Sequence, residues 1–313
     1  MELNPLIPFE PIETNKLPNG ENWVAQVKWD GVRVLTYFDG NIVKLYNRRI
    51  NERTFHYPEL TNISAYCSAS SIILDGEIIA LGLDGKPSFS QVMRRDGIRR
   101  LERVKDAQKQ VHITYMIFDV IFADGEWVHK KPLKNRLELL DNIVKPSHQV
   151  QLVPIDYEIA SLFEVAKEHQ LEGIVVKDLN SSYLINGKDS RWQKKKNFRD
   201  LVAIIGGVTL RAGIVNAVLL GLYDNKGQLW YIGHAGTGKL SNQDWKALTK
   251  IIEPLKITEM PFVNRPERLK TAIWVKPQIA VKIQYMNWTS GNLLRQPSIQ
   301  AFVEVPPEEC VFI

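Results

Sequence analysis

Cysteine is scarce in this chain, with Cys67 and Cys310 the two present among 313 residues. They stand far apart, and neither has the second thiol or neighbouring histidine that a zinc site would need, so both thiols are expected to be reduced. Long apolar runs are also missing. The opening MELNPLIPFEP has no basic stretch followed by an apolar one, and no later segment reaches the roughly 20 residues that cross a bilayer as a helix. A cytoplasmic location without membrane contact is expected. Repeats and low-complexity tracts are absent too, which excludes fibrous and disordered classes.

What is present is a globular composition, 44% apolar and 24% charged. A length of 313 residues exceeds what one hydrophobic core usually organises, so two domains of unequal size are expected. The formal charge of +5 and a pI near 9.0 favour polyanionic partners.

Alternation from Trp23 to Lys28 puts Trp23, Ala25 and Val27 on one side and Val24, Gln26 and Lys28 on the other, as in a half-buried strand. VRVLTYF and IVKLYN read as two more strands joined across DGN, a hairpin signal. SIILDGEIIAL, with a turn-like Asp75 and Gly76, and VHITYMIFDVIFA are further β-rich runs. LKNRLELLDNIV and IASLFEVAKEHQ instead return apolar residues at helical spacing. At NGKDSRWQKKKNFRD the composition changes, because residues 188–200 hold six basic residues against Asp189 and Asp200. A domain junction is expected there. LVAIIGGVTL, AVLLGLYD and LWYIGHAG follow as short strands with turn glycines, then a helical NQDWKALTKII, the pattern of a small β-barrel. The fold class expected is α+β, with an antiparallel-sheet domain over 1–200 and a barrel over 201–313.

The segment VKWDGVRV, residues 27–34, carries the sharpest chemical signal. A lysine with a pKa near ~10.4 is neutral in only about a thousandth of molecules near pH 7.5, so a nucleophilic lysine needs burial or neighbouring positive charge. Lys28, ending an apolar strand with Arg33 close by, has both ingredients. Taken alone, such a lysine is more often a solvated charge.

KWDG at 28–31 matches the K-x-D-G signature of the covalent nucleotidyltransferases, which include polynucleotide ligases and mRNA capping enzymes. LYNRR, LDGEI, YMIFDV, LEGIVVK and RWQKKK follow in the family's motif order, and WVKPQIAVKIQYMNWTSGNLLRQPS extends the likeness towards the end of the chain. The chain resembles ATP-dependent DNA ligases, particularly the ligase module of bacterial end-joining ligases.

That resemblance implies a nucleotidyltransferase (adenylation) domain followed by an OB-fold. It implies Lys28 as the nucleophile on ATP, Arg33 and Arg48 as nucleotide contacts, and Phe118 stacked on the adenine. Lys177, Lys194 and Lys196 would hold the nucleotide phosphates, with Lys194 assisting phosphate transfer. Glu77 and Glu172 are hard oxygen donors suited to Mg²⁺ or Mn²⁺, with Glu77 also beside the nucleotide. Arg295 would help pyrophosphate leave, and Lys195 would face solvent or a DNA backbone. The implied partner is nicked or broken double-stranded DNA, the implied setting the nucleoid in repair, recombination or end joining, and the expected state a monomer. Recruitment by a Ku-like end-binding protein stays open. An RNA ligase or GTP-using capping-type enzyme shares K-x-D-G, and a noncatalytic nucleic-acid-binding protein could share the OB-fold.

The pattern departs from the family in places. Asn47 and Ile50 stand where S-R-x-G would place serine and glycine, Gln296 replaces a histidine, and Ser298 stands where larger ligases have a second arginine. GHAGTGKL, Gly233 to Leu240, nearly fits a phosphate-binding G-x-x-x-x-G-K loop, but Leu240 lacks the hydroxyl that would meet Mg²⁺. It reads instead as a glycine-rich turn of the barrel.

Overall fold

The computed structural model describes residues 3–236, 238–266, 271–289 and 291–312, and the chain divides into two compact units, Met1–Asn197 and Phe198–Ile313.

The first unit contains strands β1 (Glu10–Glu13), β2 (Trp23–Val27), β3 (Val32–Phe38), β4 (Val43–Asn47), β5 (Ile72–Ala80), β6 (Ile113–Ala123), β7 (Glu126–Trp127), β8 (Val150–Leu152), β9 (Gly173–Asp178) and β10 (Lys188–Lys196). Its helices are α1 (Phe89–Asp96), α2 (Val104–Gln110), α3 (Leu133–Ile143) and α4 (Ile159–Glu168). Two sheets result. One runs β1-β10-β9-β2 and the other β4-β3-β5-β6-β7, with β8 paired in parallel to β6.

The second sheet buries both faces. On one, Val34, Leu74, Ile78, Tyr115 and Ile117 join the largest cluster of the unit. On the other, Leu35, Tyr37, Ile73 and Ile121 pack with Phe9, Tyr183 and Trp192, which come from the chain around the first sheet. This second cluster is the floor between the sheets. Helix α4 covers the opposite face of the first sheet, packing Phe163 and Ala166 onto Ala25, Ile174 and Val176.

Asp75 and Gly76, turn-like in sequence, lie within the unbroken strand β5. The register against β6 shifts between them. A Cβ at Gly76 would meet the Tyr115 ring 2.5 Å away, so the glycine serves close packing and not a turn. The hairpin expected at DGN is present: Asp39 Oδ1 accepts from the amides of Asn41 and Ile42, and Gly40 takes φ +98°.

The second unit contains β11 (Arg199–Arg211), β12 (Ile214–Tyr223), β13 (Leu229–Ala235), α5 (Asn242–Ile252), β14 (Lys256–Ile257), β15 (Ala272–Tyr285) and β16 (Ser298–Val303). The order is β13-β12-β11-β15-β14, with β16 also on β15. A parallel bridge from Gly238 to Ile299 brings the chain after β13 to β16. The curled antiparallel sheet is consistent with an OB-fold. At the bend of β11 the register skips between Ile205 and Gly207, and a side chain at Gly206 would strike the Phe262 ring at 2.5 Å.

The near-P-loop does not form one. Its first residues finish β13, antiparallel to β12, and Gly238, at φ +143°, lies against the Ile299 backbone where a Cβ would collide. The helix that follows begins at Asn242, capped by Ser241 and Asp244 in a capping box. Thr237 of this run and Ser290 of the C-terminal motif lie outside the described residues.

Candidate active site

Strand pairing decides which side chains of the first sheet share a face. Val24 of β2 stands opposite Lys177 of β9, and Gln26 opposite Val175. Lys28, just past β2, continues this register by donating its backbone amide to Gly173 O at 2.9 Å. Across β9, Trp192, Lys194 and Lys196 of β10 face Lys177, Val175 and Gly173. Because directly paired residues point the same way, Lys28, Lys177, Trp192, Lys194 and Lys196 line one face. Lys195 points to the other, with its ammonium 4.6 Å from the Phe163 ring centroid. That is a packed cation–π position rather than a solvated one.

The facing sheet supplies Arg33, Glu77 and an aromatic ring. Arg33 of β3 pairs with Glu77 of β5, and Phe118 lies on β6. The Lys28 Nζ donates to Glu172 Oε2 at 2.6 Å, with both side chains partly shielded from solvent. Glu172 itself is held by the end of β10, where Asn197 donates its amide to Glu172 O and its side chain to Leu171 O.

Gly31 has a defined task. A Cβ there would strike the Ile78 carbonyl and approach Glu77 Cγ at 3.1 Å, so only glycine lets the segment after Lys28 pass this close to β5. Asp30 beside it is buried.

Electrostatics mark the same region. Burial pushes the Glu77 carboxyl up to about 8, with Lys28 and Arg33 opposing and the carboxylates of Glu172 and Asp30 adding to the rise. Burial also drives Lys177 down to about 7, although Asp119 and Asp75 act in the other direction. Its Nζ lies 3.9 Å from the Trp192 ring centroid and 4.5 Å from that of Phe118. Lys194 is lowered first by burial, then by the charges of Lys196 and Lys28. Acids and bases are thus held away from their ordinary ionisation, as functional sites often require.

Beneath these groups lies a buried ion-pair network. Arg33 grips Asp75 with two hydrogen bonds of 2.9 and 2.6 Å, and Tyr183 Oη donates to Asp75 Oδ2 at 2.7 Å. Arg136 of α3 grips Asp119 at 2.7 and 2.9 Å, both fully buried, and bonds Lys131 O and Ser181 O. With every charge paired, the network tolerates burial and fixes Arg33 under Phe118, 5.3 Å from its ring centroid.

The structure therefore gathers Lys28, Arg33, Glu77, Phe118, Glu172, Lys177, Lys194 and Lys196 in the first unit. Arg48 is not drawn in: it is exposed in the turn after β4, 3.6 Å from Glu10. That turn keeps a glycine-like backbone despite Ile50, which adopts φ +62°. Asn47 holds it by accepting the amides of Arg49 and Asn51. Arg295 belongs to the second unit, where its backbone exchanges hydrogen bonds with Asn287 and Met286, and Gln296 follows at φ +52°. Ser298 starts β16, its hydroxyl 2.9 Å from the Gln300 amide.

Trp192, Tyr183, Asp119 and Arg136 are the members that motif reading passed over. Trp192 could have been found, since it stands two residues before Lys194 in one strand and must share its face. Tyr183 and Arg136 carry no local signal.

A family model described as ATP dependent DNA ligase domain matches residues 9–196, and a second, ATP dependent DNA ligase C terminal region, matches 211–304. The chain belongs to the ATP-dependent DNA ligase family. Among relatives of this family, the multifunctional non-homologous end joining DNA repair protein LigD of Mycobacterium tuberculosis is 30% identical over 284 residues, 88% of this chain and 35% of that protein. The chain thus spans about a third of that relative's length. The SPbeta prophage-derived DNA ligase-like protein LigB of Bacillus subtilis is 35% identical over 193 residues, 61% of this chain and 67% of that protein. Among solved structures, mycobacterial DNA ligase D complexed with ATP and MES is 28% identical and covers 98% of both chains, with a TM-score of 0.53.

Proposed function

We propose that this chain is an ATP-dependent DNA ligase that seals 5′-phosphate/3′-hydroxyl breaks in double-stranded DNA, in the end-joining repair for which its mycobacterial relatives are named. The observation that carries this reading is the position of Lys28 beside Glu172, within a face that also presents Lys177, Lys194 and Lys196.

The first step is attack of the Lys28 amine on the α-phosphorus of ATP. A nitrogen–phosphorus bond forms, the bond to the β-phosphate oxygen breaks, pyrophosphate departs and the amine gives up a proton. Lys194 and Lys196 lie on the same face as Lys28 and would offset the charge on the transferring phosphate. Phe118, over Arg33, offers an aromatic face to the adenine, and Lys177 lies on its edge of the site. AMP then passes to the 5′-phosphate of the DNA, and the adjacent 3′-hydroxyl displaces it as the strand closes. Arg295 is proposed from the family likeness alone to favour pyrophosphate departure.

A divalent cation fits the donors present. Glu77 is held largely protonated by its burial beside the carboxylates of Glu172 and Asp30, an arrangement that a cation would relieve. Among the described residues no group of three or more metal-binding side chains converges, so Glu77 and Glu172 would hold Mg²⁺ or Mn²⁺ together with the nucleotide's own oxygens, as is usual for Mg²⁺. When bound, the cation neutralises phosphate charge.

Incubation with α-labelled ATP and Mg²⁺ tests the reading. Label should survive denaturation on the parent chain and be lost from Lys28→Ala. Label retained by the alanine variant would sink the assignment, and labelling by GTP in place of ATP would favour a capping-type enzyme.

A further inference from the structure

Two segments of this chain are strongly basic, and they use their charge differently. Residues 188–200 carry six cations against two carboxylates, but most are committed: Lys194 and Lys196 lie on the site face, Lys195 packs over Phe163, and Arg191 is locked to Asp189. Residues 94–109 carry seven cations against three carboxylates, again a net +4. Here Arg94, Arg99, Arg100, Arg103, Lys105 and Lys109 are all exposed.

The exposed cations are held on a firm base. Arg95, the one buried cation of the segment, donates to Val111 O, to His56 O and to the Glu59 carboxylate. Asp96 at the end of α1 accepts from Arg53 and from Tyr57 Oη. The Arg94 guanidinium reaches Gln110 at the end of α2 at 2.9 Å, which ties the two helices side by side. Val92 and Val104 bury the inner faces. Exposed cations thus come from both helices and from the turn between them.

Their charge is also largely unspent within the chain. Arg94 bonds to glutamine side chains, and Lys109 meets Asp106 in an exposed pair at 3.8 Å, a kind that contributes little in water. Among the described residues, no carboxylate pairs with Arg99, Arg100, Arg103 or Lys105. Six exposed cations against the exposed carboxylates Glu102 and Asp106, on a packed pair of helices, are suited to a polyanion.

We propose that the α1–α2 face is a docking surface for the phosphate backbone of duplex DNA, with Arg99, Arg100, Arg103 and Lys105 as its main contacts. The inference rests on the ligase reading for its choice of polyanion. Such contacts position the duplex without sequence preference, and each phosphate neutralised adds to the salt dependence of binding.

The test compares two fourfold variants in binding to a nicked duplex across a salt series. One carries Arg99→Gln, Arg100→Gln, Arg103→Gln and Lys105→Gln; the other neutralises four exposed lysines elsewhere in the unit, Lys130, Lys131, Lys134 and Lys145. The first should lose about tenfold or more in affinity at low salt and flatten the slope of log K against log salt by up to ~0.9 per lost contact. The second should change far less. Unchanged affinity and slope in the first variant, or equal losses in both, would overturn the surface. Labelling of Lys28 by ATP, measured on the parent, keeps the two readings apart: an unlabelled parent whose duplex binding still depends on the first set overturns the ligase reading but not the surface.

Discussion

The ammonium of Lys28 and the carboxylate of Glu172 lie 2.6 Å apart although 144 residues separate them in sequence. β2 and β9 bring them together: the amide of Lys28 bonds Gly173 O, the residue after Glu172. The lysine proposed as the nucleophile is thereby held and oriented before a nucleotide arrives. Replacing Glu172 with alanine should lower the rate of Lys28 labelling by ATP on the order of 10- to 100-fold, the scale typical of lost orienting partners around metal sites. Single-turnover labelling measures it, and an unchanged rate would remove Glu172 from the site.

Glu77 has a pH signature with a defined sign. Its carboxyl is pushed from an ordinary 4.5 up to about 8, so between those values the folded chain holds a proton that the unfolded chain has released. The contribution to stability is full below about 4.5 and is lost as pH rises to about 8. Glu77→Gln should flatten that decline and raise the thermal midpoint above pH 8 in metal-free, nucleotide-free buffer. The same variant should be impaired in labelling. Parallel stability profiles for parent and variant would refute the burial argument.

Lys177 has the opposite sign. Its pKa falls from 10.5 to about 7, so the unfolded chain holds the extra proton between these values. The contribution is present above 10.5 and is lost as pH falls through about 7. Lys177→Met keeps the side-chain length between Phe118 and Trp192 and removes the buried amine. It should be more stable than the parent at pH 6, with the difference shrinking towards pH 10, while weakening the response of labelling to ATP concentration. Thermal melts at the two pH values decide the matter.

Tyr183 ties the Arg33–Asp75 pair to the chain before β1 by a single hydroxyl, donating to Asp75 Oδ2 at 2.7 Å and accepting the Phe9 amide at 3.0 Å. Tyr183→Phe leaves the ring against Trp192 but strips a buried carboxylate of one donor. A loss of about 1–3 kcal/mol is expected in denaturant unfolding. Because Asp75 orients Arg33, the concentration of ATP giving half-maximal labelling should also rise.

Local pattern alone carried much of this protein. Alternation set the face on which Lys28 would stand, the hairpin residues Asp39 and Gly40 closed β3 onto β4, and three- and four-residue apolar spacing marked α3 and α4, because side-chain periodicity is a property of each element by itself. The ordered motifs pointed to Lys28, Glu77, Phe118, Glu172, Lys177, Lys194 and Lys196, residues whose types suit phosphate and metal chemistry wherever they meet. Asp75 and Gly76 were misleading, since a turn dipeptide was overridden by the space that the Tyr115 ring needs across the sheet.

Tertiary structure decided what sits between these residues and what each charge is free to do. The register of β10 on β9 placed Lys194 and Lys196 on the face of Lys177 and Lys28, and it sent Lys195 to the other side, where it packs over Phe163 instead of facing solvent. Only burial could set Lys177 and Glu77 away from their ordinary ionisation, because desolvation depends on neighbours that come from distant parts of the chain. Tyr183 met Asp75, and Arg136 met Asp119, for the same reason. The basic residues after α1 were countable in the sequence, but only their packing showed that Arg95 is spent inside while the cations around it face outward.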